Sequence, residues 1–363
     1  MKFKVIENDK EKWVVSSLYN YFFDKKTGYF ARWGKTKDDD PIFAPSPEIL
    51  DLEISSGGGC LGNCDFCYKD NGGNQPVHNL SFEDFKNIFH KINKNHTLTQ
   101  IAFGIMNISS NPDFFKMMEY SRENRVIPNY TCHGLDVIKE IAEKTAKVAG
   151  AVAVSVYNKE KSSDAIKMFT DAGMTQVNIH YFLARESYDR AFEIIDDIIT
   201  DPRLEKLNAI VFLQLKKKGR GGSFNYINSV DDYKKLINYC KEKKIGFGFD
   251  SCSGPLYLKS MEGTKEYQEA ITVCEPCESS HFSSYINDHG VFFPCSFSEE
   301  VEGWEEGLNV LTCDDFIKDI WMNQKVLKFR KNLISSSQDC DCISKKYCRS
   351  CPIYKETAGC KHA

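Results

Sequence analysis

Ile49-Leu50-Asp51-Leu52-Glu53-Ile54-Ser55-Ser56-Gly57-Gly58-Gly59-Cys60-Leu61-Gly62-Asn63-Cys64-Asp65-Phe66-Cys67-Tyr68 passes from an apolar run into a glycine-rich loop that carries three thiols. The opening run, Ile49–Ile54, reads as a β-strand. The cysteines that follow are spaced by three residues and then two. Glycine lets the backbone wrap closely around a bulky group. Thiolates select zinc, copper(I) or iron–sulfur clusters. A structural zinc site wants four closed ligands, usually in two pairs. Three cysteines on one loop leave a position open, which suits an iron–sulfur cluster whose fourth iron meets something else.

Outward from this loop, short apolar runs alternate with amphipathic stretches. Strand candidates are Ile49–Ile54, Gln100–Phe103, Ile127–Thr131, Ala151–Val156, Gln176–Phe182, Ala209–Leu215 and Ile245–Phe249. Between them lie helical segments Phe82–Ile92, Asp113–Arg122, Asp136–Thr145, Ser162–Asp171, Ser187–Ile199 and Ser229–Lys243. Such alternation implies parallel strands joined by right-handed crossovers. The number of units favours an α/β fold of the partial (β/α)6 TIM-like barrel type over an open two-layer sheet. Residues 1–47 form an N-terminal extension with an aromatic β-hairpin, Tyr19–Phe23 and Tyr29–Trp33 about a turn at Asp24–Gly28. Residues 48–255 form the barrel. After about Cys252 the alternation stops, and residues 256–363 form a loop-rich, cysteine-rich domain with one evident helix, Asp314–Lys331. So few apolar residues need a metal staple.

The bulk composition excludes several classes. A net charge of -4 argues against broad nucleic-acid binding, and 42% hydrophobic residues fit a folded soluble chain. The basic run Lys216-Lys217-Lys218-Gly219-Arg220 reads as a solvated loop. No stretch has the length of a membrane span, and the N-terminus lacks a signal-peptide core, so a cytoplasmic location is expected. Fifteen cysteines in a cytosolic chain, clustered at two sites, read as metal ligands rather than disulfides.

The second cluster begins at Cys274-Glu275-Pro276-Cys277 and continues with Gly290 and Cys295. Cys340, Cys342, Cys348, Cys351 and Cys360 complete it. Eight thiolates satisfy two fully ligated [4Fe–4S] clusters, and equally two zinc sites. Counting does not choose between them.

Cys60-x3-Cys64-x2-Cys67, with Phe66 before the last cysteine and a strand before the first, resembles the signature of the radical S-adenosylmethionine superfamily. The resemblance implies that these thiolates hold a [4Fe–4S] cluster. Its unique iron would bind S-adenosylmethionine, and one electron from a donor such as flavodoxin or ferredoxin would release a 5′-deoxyadenosyl radical that abstracts a substrate hydrogen. Phe66 would flank that cofactor. Gln100–Asn107 resembles the family's second-strand Gly-Gly-Glu segment but departs from it: the glycines fall on Ile105 and Met106, and the glutamate on Asn107. The resemblance makes Gly104 and Asn107 candidates for the cofactor's amino group. Asn129–Gly134 resembles the third-strand segment. Ser155 on the fourth strand, with Asn178 and His180 on the fifth, are further cofactor-binding candidates.

The spacing Cys277-x12-Gly290-x4-Cys295 resembles the start of a SPASM-type auxiliary-cluster domain. By that resemblance Cys274, Cys277, Cys295 and Cys351 hold one auxiliary [4Fe–4S] cluster, and Cys340, Cys342, Cys348 and Cys360 a second. Asp250 and Cys252 stand at the C-terminal end of the last barrel strand, where barrel enzymes place chemistry, and are the catalytic candidates. The family implies modification of a peptide or protein side chain, by oxidation or cross-linking. A small molecule, nucleotide or nucleic-acid base is the alternative substrate class, and a non-catalytic iron–sulfur scaffold the alternative role.

Overall fold

The computed structural model describes residues 2–336, 343 and 347–358. Cys340, Cys342 and Cys360 lie outside them. Strands β1 (Phe3–Glu7), β2 (Glu11–Ser16), β3 (Asn20–Asp24) and β4 (Phe30–Trp33) form an antiparallel sheet in sequence order. The expected hairpin is its second half, β3 with β4. The first half went unread because charged residues stand between its apolar ones in Lys2–Glu7 and Glu11–Ser16. One of those charges is buried: Lys12 is 1% exposed, donating to Leu98 O at 2.6 Å and pairing with Glu7 at 3.2 Å.

Next come β5 (Ile49–Glu53), a two-residue pair β6 (Ser55–Ser56) and β7 (His78–Asn79), β8 (Gln100–Gly104), β9 (Ile127–Cys132) and β10 (Ala151–Ser155). β11 (Val177–Leu183), β12 (Ala209–Gln214) and β13 (Phe247–Phe249) follow. All seven strand candidates form, within a residue or two of their expected ends. Helices α1 (Phe82–Ile92), α2 (Phe114–Glu123), α3 (Lys139–Val148), α4 (Lys159–Asp171), α5 (Tyr188–Thr200) and α6 (Val230–Lys243) are the crossovers. Side chains capping α1, α4 and α6 show why those helices start where they do. Ser81, Asn158 and Ser229 each accept a backbone N–H from the first turn.

The C-terminal segment extends the sheet rather than standing apart. It begins with helices α7 (Gly254–Met261) and α8 (Tyr267–Val273), so helical structure continues past Cys252. Strand β14 (Ser283–Ile286) then pairs parallel to β5, while β15 (Val291–Phe293) and β16 (Leu308–Asn309) add antiparallel. The result is one ten-stranded sheet in the order β13-β12-β11-β10-β9-β8-β5-β14-β15-β16, in which the seven parallel strands from β13 to β5 make the partial barrel and β14, β15 and β16 extend it beyond β5. The single helix expected over Asp314–Lys331 divides into a π-helical turn, Phe316–Trp321, and α9 (Gln324–Ser335). Asn323 separates them by capping α9. One apolar core runs from Leu50 to Leu333 through both segments.

Alternation sorts each barrel strand. On β11, Val177, Ile179, Tyr181 and Leu183 are buried toward the helices, whereas Asn178, His180 and Phe182 are half-buried on the other face. The same half-buried face carries Gln100, Asn129 and Thr131. A polar barrel interior is thereby set apart from an apolar outer layer.

Arg32 joins the three parts. It forks onto Glu48, with Nε–Oε1 at 2.9 Å and Nη2–Oε2 at 2.8 Å, and reaches Glu275 and Glu278 at 2.9 Å each. Its guanidinium lies 3.6 Å from the centroid of the Phe282 ring. Glu48 also accepts from the Tyr19 hydroxyl. Strand β4, the entry to the barrel and the turn Cys274–Glu278 are thus fixed by one cation that is 6% exposed. Removing one member of a buried ionic group strands the others, at a cost of about 3–5 kcal/mol. Arg32→Ala should therefore lower unfolding free energy by roughly that amount in urea titration. A loss below about 1 kcal/mol would mean that the carboxylates are solvated.

Candidate active site

The barrel interior opens at the C-terminal ends of the parallel strands, where connecting loops converge. The thiol loop occupies residues 57–77, between the paired strands β6 and β7. Its tight path needs glycine. A Cβ on Gly57 would stand 2.2 Å from Pro76 O, and one on Gly58 2.5 Å from Gln75 O. Cys60, Cys64 and Cys67 are free and half-buried. Burial pushes the Cys64 thiol up to about 11, so binding of a metal there must displace a proton.

Two side chains from other strands hold this loop. Asn107, just past β8, accepts from Leu61 N–H on Oδ1 at 2.9 Å and donates from Nδ2 to Gly59 O at 3.0 Å. Its carboxamide therefore brackets Cys60. His133 orients it: Leu135 N–H donates to His133 Nδ1, leaving the proton on Nε2 to reach Asn107 Oδ1 at 3.0 Å. Burial lowers the His133 pKa, consistent with that neutral tautomer. Arg220 holds the other end. Its Nε donates to Cys64 O at 2.9 Å, and its backbone N–H to Cys67 O at 3.0 Å.

The basic run is thus not a solvated loop. Lys216 is 3% exposed, Lys218 Nζ donates to Glu299 O at 2.7 Å, and only Lys217 and Gly219 are exposed. The run is drawn in because Gly219, in a left-handed conformation, packs directly on the loop; a Cβ there would lie 2.6 Å from Cys67 O. Lys69, next to the third thiol's neighbour Tyr68, pairs with Glu53 at 2.8 Å and with Glu299, and donates to Tyr285 Oη at 2.9 Å.

Phe66 stacks on Phe182, with centroids 4.0 Å apart and planes 5° apart, while Tyr157 and Phe224 close the group. The Tyr157 side chain lies beside both Cys64 and Ser155. Ser155 is therefore brought to the loop. Gly104 is also nearby in the chain, its carbonyl accepting from Ile54 N–H at 2.9 Å. His180 pairs in register with Ser155 and sits 3.3 Å from Thr131 Oγ1. His180 is half-buried, and burial pushes its pKa down to about 4. Asn178 is placed differently. It lies near the opposite end of β11, where its Oδ1 accepts from Asn208 at 2.8 Å.

Asp250 caps the turn after β13, its Oδ1 accepting from Ser253 N–H at 3.0 Å and Ser253 Oγ at 2.6 Å; its Oδ2 lies 3.8 Å from Lys216 Nζ. Cys252 stands within electrostatic reach of Lys216 and of the Cys277 and Cys351 thiols. Cys277 in turn senses Cys351, and Cys295 senses Cys277. Burial raises all four thiols. Burial also holds Cys274 up at about 12, and its Sγ would lie 3.4 Å from a Cβ on Gly254. Cys348 is buried.

Sequence reading missed Phe182, Tyr157, His133, Lys216 and Arg220. Phe182 was within reach, since it continues the alternation of Asn178 and His180. The others act through contacts that no spacing encodes.

No protein-family model matches this sequence, and no curated protein matches it. Solved structures do. The crystal structure of Streptococcus suis SuiB bound to precursor peptide SuiA is 12% identical, covers 99% of this chain and 100% of its own, and superposes with a TM-score of 0.75. SuiB bound to S-adenosylmethionine is 15% identical over 87% of this chain and 78% of its own, at 0.67. Native anSMEcpe with bound AdoMet and Cp18Cys peptide is 15% identical over 85% and 88%, at 0.58. At these identities the likeness establishes a shared fold.

Asn107→Ala removes both bonds to the thiol loop, worth about 1 kcal/mol each. Anaerobic alkylation of Cys60, Cys64 and Cys67 should accelerate about tenfold or more, following that energy. An unchanged rate would show that Arg220 holds the loop alone.

Proposed function

We propose that this protein is a radical S-adenosylmethionine enzyme that modifies a peptide or protein side chain. One observation carries the reading: three half-buried thiols converge at the C-terminal mouth of a partial parallel barrel, on a loop bracketed by Asn107 and Arg220. The residues fit a [4Fe–4S] cluster: Cys60, Cys64 and Cys67 would hold it as three soft ligands on a glycine-rich loop, leaving a fourth position open. When bound, that cluster supplies the electron that splits S-adenosylmethionine; a flavodoxin- or ferredoxin-class donor is its source.

The chain's own residues do the remainder. Phe66 on Phe182 makes an aromatic wall beside the loop, suited to an adenine ring. Ser155 and Tyr157 offer hydroxyls to a ribose or to Cys64. His180 stays neutral at physiological pH and so donates or accepts without adding charge. The carbonyls of Ile105 and Met106 are left to receive the cofactor's amino group, since the Asn107 side chain is engaged by the loop and the Gly104 and Asn107 carbonyls accept backbone N–H groups. Peptide as substrate is supported by the precursor peptide SuiA and the Cp18Cys peptide bound to structures of the same fold.

A second cluster is assigned to Cys277, Cys295 and Cys351. Its fourth ligand falls to Cys274 by the family resemblance but to Cys252 by electrostatic proximity to Cys277 and Cys351, and we assign Cys252. Asp250 then holds Lys216 against that group. Cys348, with Cys340, Cys342 and Cys360 outside the described residues, is left for a third cluster.

Replacing Cys60, Cys64 and Cys67 together with alanine should remove about four irons per chain and all 5′-deoxyadenosine formation under reducing conditions. Undiminished product would refute the reading. In the same iron assay, Cys252→Ala should cost about four irons from the auxiliary region, while Cys274→Ala retains them. The reverse pattern returns the fourth position to Cys274.

A further inference from the structure

Ser56 and His78 face each other where β6 meets β7, at the base of the thiol loop. Asp288, in the turn between β14 and β15, reaches that base from the C-terminal segment. Its Oδ2 accepts from Ser56 Oγ at 2.6 Å and lies 3.0 Å from His78 Nδ1. The carboxylate is 3% exposed. On its solvent side the His78 ring stacks on His289, with centroids 3.9 Å apart. One donor atom from each of His78, Asp288 and His289 lies within 4.8 Å of the other two. None of the three has a part in the chemistry proposed above.

Two imidazole nitrogens and one carboxylate oxygen suit zinc and its transition-metal neighbours, whereas magnesium and calcium prefer oxygen alone. Each imidazole offers one ring nitrogen to such an ion and keeps the other for a hydrogen bond. Metal–ligand bonds of about 2.0–2.2 Å require the donors to close in slightly. The imidazoles can do so by rotation, because His289 is exposed and His78 is 45% exposed. Asp288 stays fixed, oriented by the Ser56 hydroxyl as an outer partner orients a metal-bound carboxylate. Water completes the coordination from the open side.

We infer that His78, Asp288 and His289 bind a divalent transition-metal ion of the zinc class, stapling the base of the thiol loop to the β14–β15 turn. The site is independent of the cysteine clusters. The test uses the iron-loaded protein, cleared on chelating resin and dialysed anaerobically against Zn2+, with zinc and iron measured together. Wild type should take up one zinc per chain with its iron unchanged, and zinc K-edge absorption should show nitrogen and oxygen neighbours. His289→Ala, at an exposed position, should weaken zinc binding by more than about tenfold, the loss typical of even an outer partner. His78→Ala/His289→Ala should abolish it. Absence of zinc from wild type, a sulfur shell around the zinc, or undiminished binding by His289→Ala would overturn the assignment; this last comparison decides the matter if the double variant fails to fold.

Discussion

The bracket of Asn107 around Cys60 is the constraint on which the site depends. A loop able to hold three thiols near one point has little regular structure of its own, and its glycines leave it entropically loose. Asn107 fixes the carbonyl before Cys60 and the N–H after it, so that the first thiol is set by a strand end rather than by the loop. His133, from the next strand, decides which way the carboxamide points. Two neighbouring barrel strands therefore impose their spacing on the loop, and the rigidity of the parallel sheet becomes the rigidity of the site.

Charge is arranged on the same principle. Cations from one run of sequence and from Lys69 lie between the thiol loop and the C-terminal segment, facing Glu53, Asp250 and Glu299. Burying that many cations is costly unless each finds an acceptor, and here each does. The proposed clusters would bring negative charge to both sides of this layer. Lys216, between Cys252 and Asp250, is therefore held in its charged form despite burial that alone would favour neutrality.

Much of this was legible in the residues. The strands announced themselves through apolar runs at regular intervals, and the thiol loop through a spacing with few alternative uses. What escaped had a common cause: its meaning lies in contacts distant along the chain. Asn107 reads as a substitute for a cofactor ligand until its partners Gly59 and Leu61 are seen. Lys216–Arg220 reads as solvated because charge is usually exposed, and nothing in the run shows that residues 57–77 will cover it. Strand β14 was hidden because Ser283–Ile286 is short and mixed, and it acquires strand character from the free edge of β5. The two early strands were masked by alternating charge, one of which, Lys12, is buried against a carbonyl that belongs to the barrel.

The pairing of Lys69 with Glu299 spans 230 residues of chain. During synthesis on a ribosome the three thiols emerge early, yet this partner, the β14 edge and the Arg220 clamp all emerge long afterwards. For that interval the cysteines are exposed to any oxidant or stray metal, without the contacts that shape them. Under the proposed function, delivery of a cluster would therefore follow these contacts and come late in the making of the protein.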